Sequence, residues 1–333
     1  MKRYEEVGKL PNDELDELIL SKIKNRRPEV VGGSSIGEDT AVLDLEGDYV
    51  VLSSDPITGA ADHLGTLAIH ISVNDVSTKS ADAVGVLLTL LLPVNTTSGE
   101  IEKIMSDAQK AAEEVGLDIV GGHTEITDAV TKPVMVSTVI GRVNKSLMPD
   151  AGAIQPGYVV AMTKYAGLEG TAILCSDFGD KLKEIGEEIL SEGRELVHDL
   201  SVQREGQIAA NYRIGYMHDV TEGGIEGALW ETSQAIGKGI EINKKDIPLH
   251  IATKKIAEQL EINPYRLISS GSMIIVLDER DVEDMKRELE KENILFTVIG
   301  RVVESEGMIF ADEEIPIEAP GPDDLFKAIA QLQ

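Results

Sequence analysis

The sequence predicts a mixed α/β (α+β) fold built in two units. Strand-like and helix-like segments alternate along the 333 residues, a pattern typical of proteins that pack helices on sheets. Residues 84–92 (VGVLLTLLL) form an uninterrupted apolar run closed by Pro93, as expected of a strand buried on both faces. Proline and glycine accumulate between Leu147 and Gly157, and this punctuation indicates a boundary. We therefore expect an N-terminal domain of residues 1–150 and a C-terminal domain of residues 151–333.

The predicted elements of the N-terminal half follow from hydrophobic spacing. In order, they are a helix at 13–25, strands at 40–45 and 48–54, a helix at 62–80, the strand at 84–92, a helix at 98–115, a short strand at 118–120 and a strand at 134–143. Ser98 is expected to cap the helix that Gly116 ends.

The C-terminal half continues the same alternation. In order, it has a strand at 158–163, helices at 168–192 and 199–213, a segment at 216–220 that leads into a turn, helices at 225–236 and 251–261, a strand at 272–278, a helix at 281–292 and a strand at 294–303. The hexapeptide TVIGRV occurs at 138–143 and again at 297–302, which gives weak support to two units of similar build.

The composition describes a globular protein with aliphatic cores. Hydrophobic residues make up 42% of the chain and aromatic residues only 4%. Acidic residues outnumber basic residues 59 to 31, and the net charge of −28 argues against a nucleic-acid or anionic-membrane partner. The single cysteine, Cys175, excludes an intramolecular disulfide and fits a reducing cytosol. With no apolar run that resembles a signal peptide or a membrane span, we expect a cytoplasmic protein.

Three carboxylates occur where an ionised group is costly. Asp39 lies in a tight Gly-Glu-Asp-Thr turn, Asp55 ends a strand-like run, and Asp75 lies on the apolar face of a helix, four residues after Ile71. A buried carboxylate must be paired, hydrogen-bonded or bound to a metal. Oxygen ligands of this kind suit Mg²⁺, which commonly arrives with substrate phosphates. The three residues together predict a metal–nucleotide site.

Each of these residues also has a purely structural interpretation. Asp39 can bond its own backbone in the turn, and Asp55 before Pro56 can start another turn. Asp75 can pair with Lys79, four residues further along the helix. Their spacing within one short stretch favours the metal site over three separate coincidences.

Two glycine pairs are candidates for phosphate binding. Gly223 and Gly224 precede a predicted helix, with Thr221 as its expected N-cap, and free backbone N–H groups at such a position bind anions. Gly121 and Gly122 form the second pair. The alternative is that each pair only turns the chain.

The histidines show no metal-ligand spacing. His123 lies in a loop suited to a ligand or acid–base role, whereas His63 and His70 are expected on the solvated flank of their helix. His218 can be oriented by Asp219 beside it, although an ordinary loop histidine is the simpler interpretation. Cys175 is expected in a helix core.

The order of these motifs resembles the aminoimidazole ribonucleotide synthetase superfamily. The motifs are the Gly-Glu-Asp-Thr-Ala-Val turn, the strand ending Ser54-Asp55, Asn74-Asp75 followed by Ala81-Asp82-Ala83, Gly121-Gly122-His123-Thr124, and Asp219-Val220-Thr221-Glu222-Gly223-Gly224. Members include a hydrogenase-maturation dehydratase, thiamine-phosphate kinase, selenophosphate synthetase and formylglycinamidine ribonucleotide synthetase. The domain spacing resembles the hydrogenase-maturation and thiamine-phosphate kinase branch most.

This resemblance implies a homodimer formed through the N-terminal domain, with ATP and Mg²⁺ near the dimer interface. It implies phosphoryl transfer to an oxygen of a small substrate, with Asp75 and His123 as catalytic candidates. The implied metal ligands are Asp39, Asp55 and Asp75. The implied ATP-binding residues are Glu38, Asp39, Thr40, Ser54, Asp55, Asn74, Asp75, Gly121, Gly122, His123 and Thr124. The implied substrate-binding residues are Asp219, Thr221, Gly223 and Gly224.

The sequence departs from the superfamily pattern at three places. Glu38 replaces the first aspartate of the usual turn, and His123 stands where several members have a carboxylate, which either weakens a metal-ligand role at this position or hands it to Glu125. The hydrogenase-maturation enzyme carries its substrate on a C-terminal cysteine, whereas this sequence ends at Gln333 without one. A self-modifying dehydratase is therefore not expected. The alternatives are a non-catalytic nucleotide-binding partner in a maturation pathway and a thiamine-phosphate kinase-like enzyme.

Overall fold

A computed structural model describes residues 12–13, 16, 20, 28–32, 35–38, 40–58, 63–304 and 307–333 of the chain. Most of the predicted helix at 13–25, and all of Asp39, lie outside these residues. Within them the chain forms two mixed sheets with helices packed against them, so the predicted α/β fold is confirmed. No helix in the described ranges is both long and apolar enough to cross a membrane.

The first sheet has six strands. They are β1 (Val30–Gly32), β2 (Ala41–Asp44), β3 (Tyr49–Ile57), β4 (Asp82–Pro93), β5 (Asp118–Thr127) and β6 (Val134–Val143). Their order is β1-β2-β3-β6-β4-β5, and all neighbours are antiparallel except the parallel pair β4 and β5. Asp55 therefore lies within β3 and not at its end, because the strand runs on to Ile57.

Two helices cover one face of this sheet. They are α1 (Leu64–Ser77) and α2 (Ser98–Val115). Almost all of α1 is buried, since the helix lies between the sheet, α2 and the C-terminal half. Thr97, one residue before the predicted Ser98, is the N-cap of α2 and accepts a hydrogen bond from the Glu100 N–H at 3.3 Å. Gly116 ends the helix in the left-handed conformation, as predicted.

The other face of the first sheet lies open. We call it the open face, and it carries Ser54, Leu87, His123 and Thr138. Leu87 is 41% exposed, so the prediction that residues 84–92 are buried on both faces was wrong. Among the described residues, helices cover one side of β4, and its side chains alternate between buried and exposed over much of its length.

The second sheet has seven strands. They are β7 (Val159–Thr163), β8 (Ile214–Val220), β9 (Gly239–Ile242), β10 (Ser272–Leu277), β11 (Phe296–Val303), β12 (Met308–Phe310) and β13 (Ile315–Pro316), in the order β13-β12-β9-β11-β7-β10-β8. Its helices are α3 (Leu168–Asp177), α4 (Glu187–Glu195), α5 (Gln203–Ala209), α6 (Gly224–Ile236), α7 (Ile251–Leu260), α8 (Val282–Lys291) and α9 (Asp324–Leu332).

The predicted helix at 168–192 is in fact two helices, α3 and α4. Residues 178–186 separate them, and Gly186, directly before α4, has a φ of 100°, a conformation that a helix interior does not contain. Cys175 lies in the buried core of α3, as predicted.

Candidate functional site

Two of the predicted metal carboxylates meet at the hydroxyl of Ser53. Ser53 and Asp55 lie two residues apart on β3 and therefore point to the same face of the sheet, which α1 covers. The Ser53 Oγ lies 3.1 Å from Oδ2 of Asp55 and also donates to Oδ2 of Asp75 on α1. Asp75 is only 7% exposed, so the predicted carboxylate on the apolar face of the helix is present.

The carboxylates of Asp55 and Asp75 share the single hydroxyl of Ser53. A serine hydroxyl has one hydrogen, which cannot lie between Ser53 and both carboxylate oxygens at full strength. The two ionised groups are held close together, and like charges in a partly buried place repel one another. A cation between them would remove the repulsion. Two carboxylates and a hydroxyl offer only oxygen atoms, the ligand type that Mg²⁺ prefers.

Residues that flank Asp39 contact β8 and the segment after α1, whereas Asp39 itself lies outside the described residues. The phenol of Tyr216 on β8 donates to the carbonyl of Gly37. Glu38 forms an ion pair with Lys79 at 2.7 Å, just beyond the end of α1. Lys79 therefore pairs with Glu38, the residue before Asp39.

Other residues predicted to bind ATP are distributed around the first sheet. Thr40 directly precedes β2 and is buried. The hydroxyl of Ser54 lies 2.8 Å from that of Thr138 on the open face, away from Asp55.

The side chain of Asn74 bonds to the backbone of the C-terminal half, which differs from its predicted role as a ligand of ATP. Its amide nitrogen donates to the Leu200 carbonyl at 2.8 Å, and its amide oxygen accepts from the Val202 N–H at 2.8 Å. The side chain is fully buried. Asn74 therefore ties α1 to the segment that leads into α5 of the C-terminal half.

The predicted loop from Gly121 to Thr124 is part of strand β5. A side chain at Gly122 would place its Cβ 1.8 Å from the Leu88 carbonyl oxygen of β4. Gly122 therefore allows a close approach of β5 to β4, which explains why a pair that resembled a turn belongs to a sheet.

His123 and Asp75 lie on opposite sides of the first sheet. Strand register places His123 in the same row as Thr89, Val136 and Pro56, whereas Asp55 occupies the next row and points to the other face. The ring of His123 lies 3.2 Å from the carboxylate of Glu125, and both side chains are exposed. The two predicted catalytic residues are therefore not brought together within one chain.

The predicted substrate residues surround the start of α6. Asp219, near the end of β8, is 1% exposed, and Gly224 forms the first residue of the helix. The residue directly before the helix is Gly223, which has a φ of 91°. Gly223 and not Thr221 is therefore the N-cap. The Gly223 N–H already donates to Oδ2 of Asp323 at 2.8 Å.

Asp323 thus occupies the place predicted for a phosphate group. Its other oxygen accepts from the N–H groups of Ile268 at 3.2 Å and Leu325 at 2.8 Å. Burial raises the pKa of Asp323 to about 6, the three backbone donors oppose that shift, and the charge of Glu222 adds to it. A carboxylate near a helix N-terminus is electrostatically favourable, so this contact also stabilises the start of α6.

A second buried acid lies close to Asp323. Glu169 on α3 is 6% exposed, and burial raises its pKa, with a smaller contribution from the charge of Asp323. Hydrogen bonds from Ser270 oppose this shift. The C-terminal half therefore holds a pair of neighbouring acids with raised pKa values beside the turn of Gly223.

Two histidines differ from expectation. His218 is buried and lies 3.0 Å from the carboxylate of Glu231 on α6, a partner that sequence proximity could not identify. His70 is 8% exposed, so its predicted solvated position was wrong. The C-terminal half covers the flank of α1 that amphipathic spacing assigned to solvent, and burial lowers the pKa of His70.

Sequence reasoning missed Ser53 and Asp323. The spacing of Ser53 and Asp55, two residues apart on a strand, could have placed the hydroxyl on the carboxylate face. Asp323 reaches Gly223 from 100 residues away, and no local pattern signals such a contact.

Comparison with known families defines the class of this protein. Residues 37–143 match the N-terminal domain, and residues 155–313 the C-terminal domain, of AIR synthase related proteins. The chain belongs to this family, and the resemblance to aminoimidazole ribonucleotide synthetases is confirmed.

Curated relatives include members of at least two branches of the family. A hydrogenase expression/formation protein of Methanocaldococcus jannaschii is 24% identical over 294 residues, covering 83% of this chain and 82% of the relative. The thiamine-monophosphate kinase of Pyrococcus horikoshii is 24% identical over 292 residues, covering 84% of this chain and 87% of the kinase.

Solved structures from the same two branches share the fold. HypE from Escherichia coli has a TM-score of 0.73 at 21% identity, covering 91% of this chain and 96% of HypE. AaThiL complexed with AMPPCP and TMP has a TM-score of 0.71 at 19% identity, covering 91% of this chain and 95% of AaThiL. A structure of HypE in complex with ATP has a TM-score of 0.62 at 22% identity, covering 88% of this chain and 86% of HypE.

Proposed function

We propose that this protein is an ATP-dependent, Mg²⁺-requiring enzyme that activates an oxygen of a small substrate by phosphoryl transfer. The observation that carries the proposal is the shared hydroxyl of Ser53, which holds the carboxylates of Asp55 and Asp75 together at a partly buried position. A phosphoryl-transfer site needs little covalent chemistry from the protein, and its catalysis is mainly positioning and charge stabilisation.

The residues present fit a magnesium ion. Asp55 and Asp75 would hold it, and Asp39 is the third ligand that the family resemblance implies. No group of three possible metal-binding side chains is gathered in the part of the chain that is described, but Mg²⁺ is commonly held by one or two carboxylates plus substrate phosphates. When bound, the ion supplies positive charge that neutralises the phosphates of the nucleotide.

Relatives support ATP as the nucleotide. HypE has been solved in complex with ATP and AaThiL with AMPPCP, and both share this fold. In our proposal the nucleotide lies along the first sheet near Ser53, and the substrate lies toward Asp219 and the turn of Gly223. Because Asp323 holds the Gly223 N–H, an anionic substrate group can use that donor only by displacing the carboxylate.

We also propose that the protein forms a homodimer through the open face of the first sheet. The neighbouring strands β4 and β5 expose Val84 by 50%, Leu87 by 41% and Val120 by 58%. An exposed sheet edge beside apolar side chains is a surface that soluble proteins usually cover. A dimer formed there would also enclose His123, so a catalytic role for His123 rests on this interface.

One observation favours a second candidate, a nucleotide-binding partner in hydrogenase maturation that does not carry the substrate itself. A HypE–HypF complex shares the fold, with a TM-score of 0.70 at 20% identity, covering 89% of this chain and 94% of that chain. Cys175, the single cysteine in the 333 residues, is fully buried, and burial raises its pKa to about 11. Such a thiol is a poor nucleophile and a poor carrier for a substrate group.

The test is calorimetric titration of ATP with and without Mg²⁺, followed by an assay of phosphate release in the presence of candidate small substrates. The Asp75→Asn variant keeps the shape of the side chain and an acceptor for Ser53, and we expect it to lose Mg²⁺-dependent affinity. Asp82→Asn removes an exposed carboxylate from β4 and serves as the matched control. Equal affinity with and without Mg²⁺ would end the proposal, whereas tight Mg²⁺-dependent binding without turnover would favour the second candidate.

A further inference from the structure

A cavity of about 650 Å³ lies between the two halves of the chain, apart from the site described above. Helices α1 and α2 form one wall, and the segment that leads into α5, together with the end of α8, forms the other. Its volume is in the range that binds small molecules. His70 lines the cavity, and it lies about 140° around α1 from Asp75, so the cavity and the carboxylate pair of Ser53 lie on different sides of that helix.

A buried ion pair forms part of the cavity wall. Lys164 follows β7 with a φ of 52°, an uncommon conformation for a lysine. Its ammonium group donates to the carbonyls of Ser201 at 2.6 Å and Gly271 at 2.9 Å and lies 2.8 Å from Oε1 of Glu205. Three protein oxygen atoms therefore surround the ammonium group of Lys164, which leaves it poorly placed to bind an anionic ligand.

Two buried polar atoms at this cavity have no hydrogen-bond partner among the described residues. They are Oε2 of Glu205, whose residue is fully buried, and Nδ1 of His70, whose residue is 8% exposed. Buried acceptors without a donor are uncommon, because each costs free energy comparable to a lost hydrogen bond. A ligand with N–H groups would satisfy the acceptor at Glu205.

The charges around the cavity indicate the charge that such a ligand carries. Lys164 is paired with Glu205, and Arg204 is paired with Glu292 at 2.6 Å. The other carboxylates of the lining are Glu113, Glu114 and Asp199, of which Glu114 lies 3.9 Å from the exposed ammonium group of Lys110. His70 lies 3.9 Å from Glu114 but its pKa is lowered by burial, so it does not balance them at neutral pH. The cavity therefore has an excess of negative charge, which disfavours phosphates and carboxylates.

We propose that this cavity binds a small organic cation that carries N–H donors, of the alkylamine or polyamine class. The ammonium group lies against Glu205 and the three carboxylates, and the aliphatic part of the ligand packs on Val115, Val197 and Ile294. Because its walls come from both halves of the chain, an occupied cavity also ties α1 and α2 to α5. This site does not depend on the proposed phosphoryl transfer.

Spermidine is a suitable probe, and the experiment is a calorimetric titration of the full chain at two ionic strengths without nucleotide. We expect saturable binding of one spermidine per chain. Methylammonium and tetramethylammonium carry the same single charge, but only methylammonium has N–H groups. We expect tetramethylammonium to bind at least about tenfold more weakly than methylammonium because it cannot donate to Glu205.

Variants locate the binding. Glu205→Gln tests the buried acceptor directly but can disturb folding, since Lys164 then loses its counter-charge. The double variant Glu114→Gln/Asp199→Asn changes only the lining and should bind spermidine roughly tenfold more weakly. Glu102→Gln/Glu318→Gln removes two exposed carboxylates elsewhere, reaches the same net charge and should bind as the wild type does.

NMR signals of the histidine side chains, recorded as spermidine is added, provide a second measurement of binding. His70 and His198 both line the cavity, so their imidazole signals should shift as spermidine binds, whereas those of His123 and His250 should not. Absence of saturable binding would overturn the proposal. It would also be overturned by equal weakening in the two double variants or by equal shifts at all four histidines, because either result means diffuse attraction to an acidic surface.

Discussion

The carboxylates of Asp55 and Asp75 share one hydrogen-bond donor, the hydroxyl of Ser53. Asp55 comes from the middle of β3 and Asp75 from α1, so the packing of that helix on the first sheet creates the pair. The residues of α1 around Asp75 are buried, which limits the freedom of its carboxylate to turn away. The pair is therefore held together before any cation binds, and a cation that enters meets ligands already in place.

The first prediction concerns the donor itself. Ser53→Ala removes the hydroxyl that holds both carboxylates, and we expect affinity for Mg²⁺-ATP to fall roughly tenfold, as for loss of a hydrogen bond to a charged group. Calorimetric titration with Mg²⁺ present measures the change. Ser54→Ala is the matched control, because that hydroxyl lies on the open face against Thr138. If the two variants bind nucleotide equally, the Ser53 cluster is not the metal site.

Much of the fold could be predicted from the sequence because hydrophobic spacing is a local signal. The helices α1 and α2 and the strands β3 and β4 lie where the periodicity places them, to within a few residues. The strand β5 was missed beyond Val120, since Gly121 and Gly122 resemble a turn in sequence. Only the backbone contact of Gly122 with Leu88 shows that the pair serves strand packing.

The candidate site was predicted only in part, for a related reason. Asp55 and Asp75 could be found because each is a carboxylate in an apolar pattern, which is unusual by itself. The contacts of Asn74 with Val202 and of Gly223 with Asp323 join distant parts of the chain, and no local pattern indicates them. Their partners were set by how the two halves pack.

The second prediction is a pH dependence that Asp323 causes. The pKa of this carboxyl is about 6 in the folded chain, against an ordinary value of 3.8, because burial disfavours the charged form. The folded state therefore binds this proton more tightly than the unfolded state does. Its contribution to stability is fully present below about pH 4 and is lost as the pH rises through about 6, by about 3 kcal/mol in all.

Denaturant unfolding of the wild type and of Asp323→Asn between pH 4 and pH 7 measures this contribution. We expect the difference in free energy of unfolding between the two proteins to change by a few kcal/mol over that range. Glu318→Gln removes an exposed carboxylate from the same segment, and its difference from the wild type should change much less. A constant difference for Asp323→Asn would contradict the raised pKa.

The third prediction concerns the open face. Leu87→Glu places a charge among the exposed apolar side chains of β4 and β5, and we expect it to convert a dimer into a monomer because an unpaired charge would be buried at the interface. Light scattering after size-exclusion chromatography measures the mass. Ile251→Glu changes a side chain of similar exposure, 42% against 41% for Leu87, at the start of α7. A wild-type protein that is already monomeric, or a Leu87→Glu variant that stays dimeric, would refute this interface.

The fourth prediction separates a structural role of Asn74 from a role in binding nucleotide. Asn74→Ala leaves the carbonyl of Leu200 and the N–H of Val202 buried without partners, and we expect the free energy of unfolding to fall by roughly 2–5 kcal/mol. Denaturant unfolding measures this loss, and Asn144→Ala, an exposed asparagine that bonds within its own turn, should cost much less. Below its melting temperature the folded Asn74→Ala protein should still bind Mg²⁺-ATP with near wild-type affinity, because both polar atoms of Asn74 face the backbone of the C-terminal half. An Asn74→Ala variant that keeps its stability but loses nucleotide affinity would show that Asn74 binds the nucleotide, as the family resemblance implies.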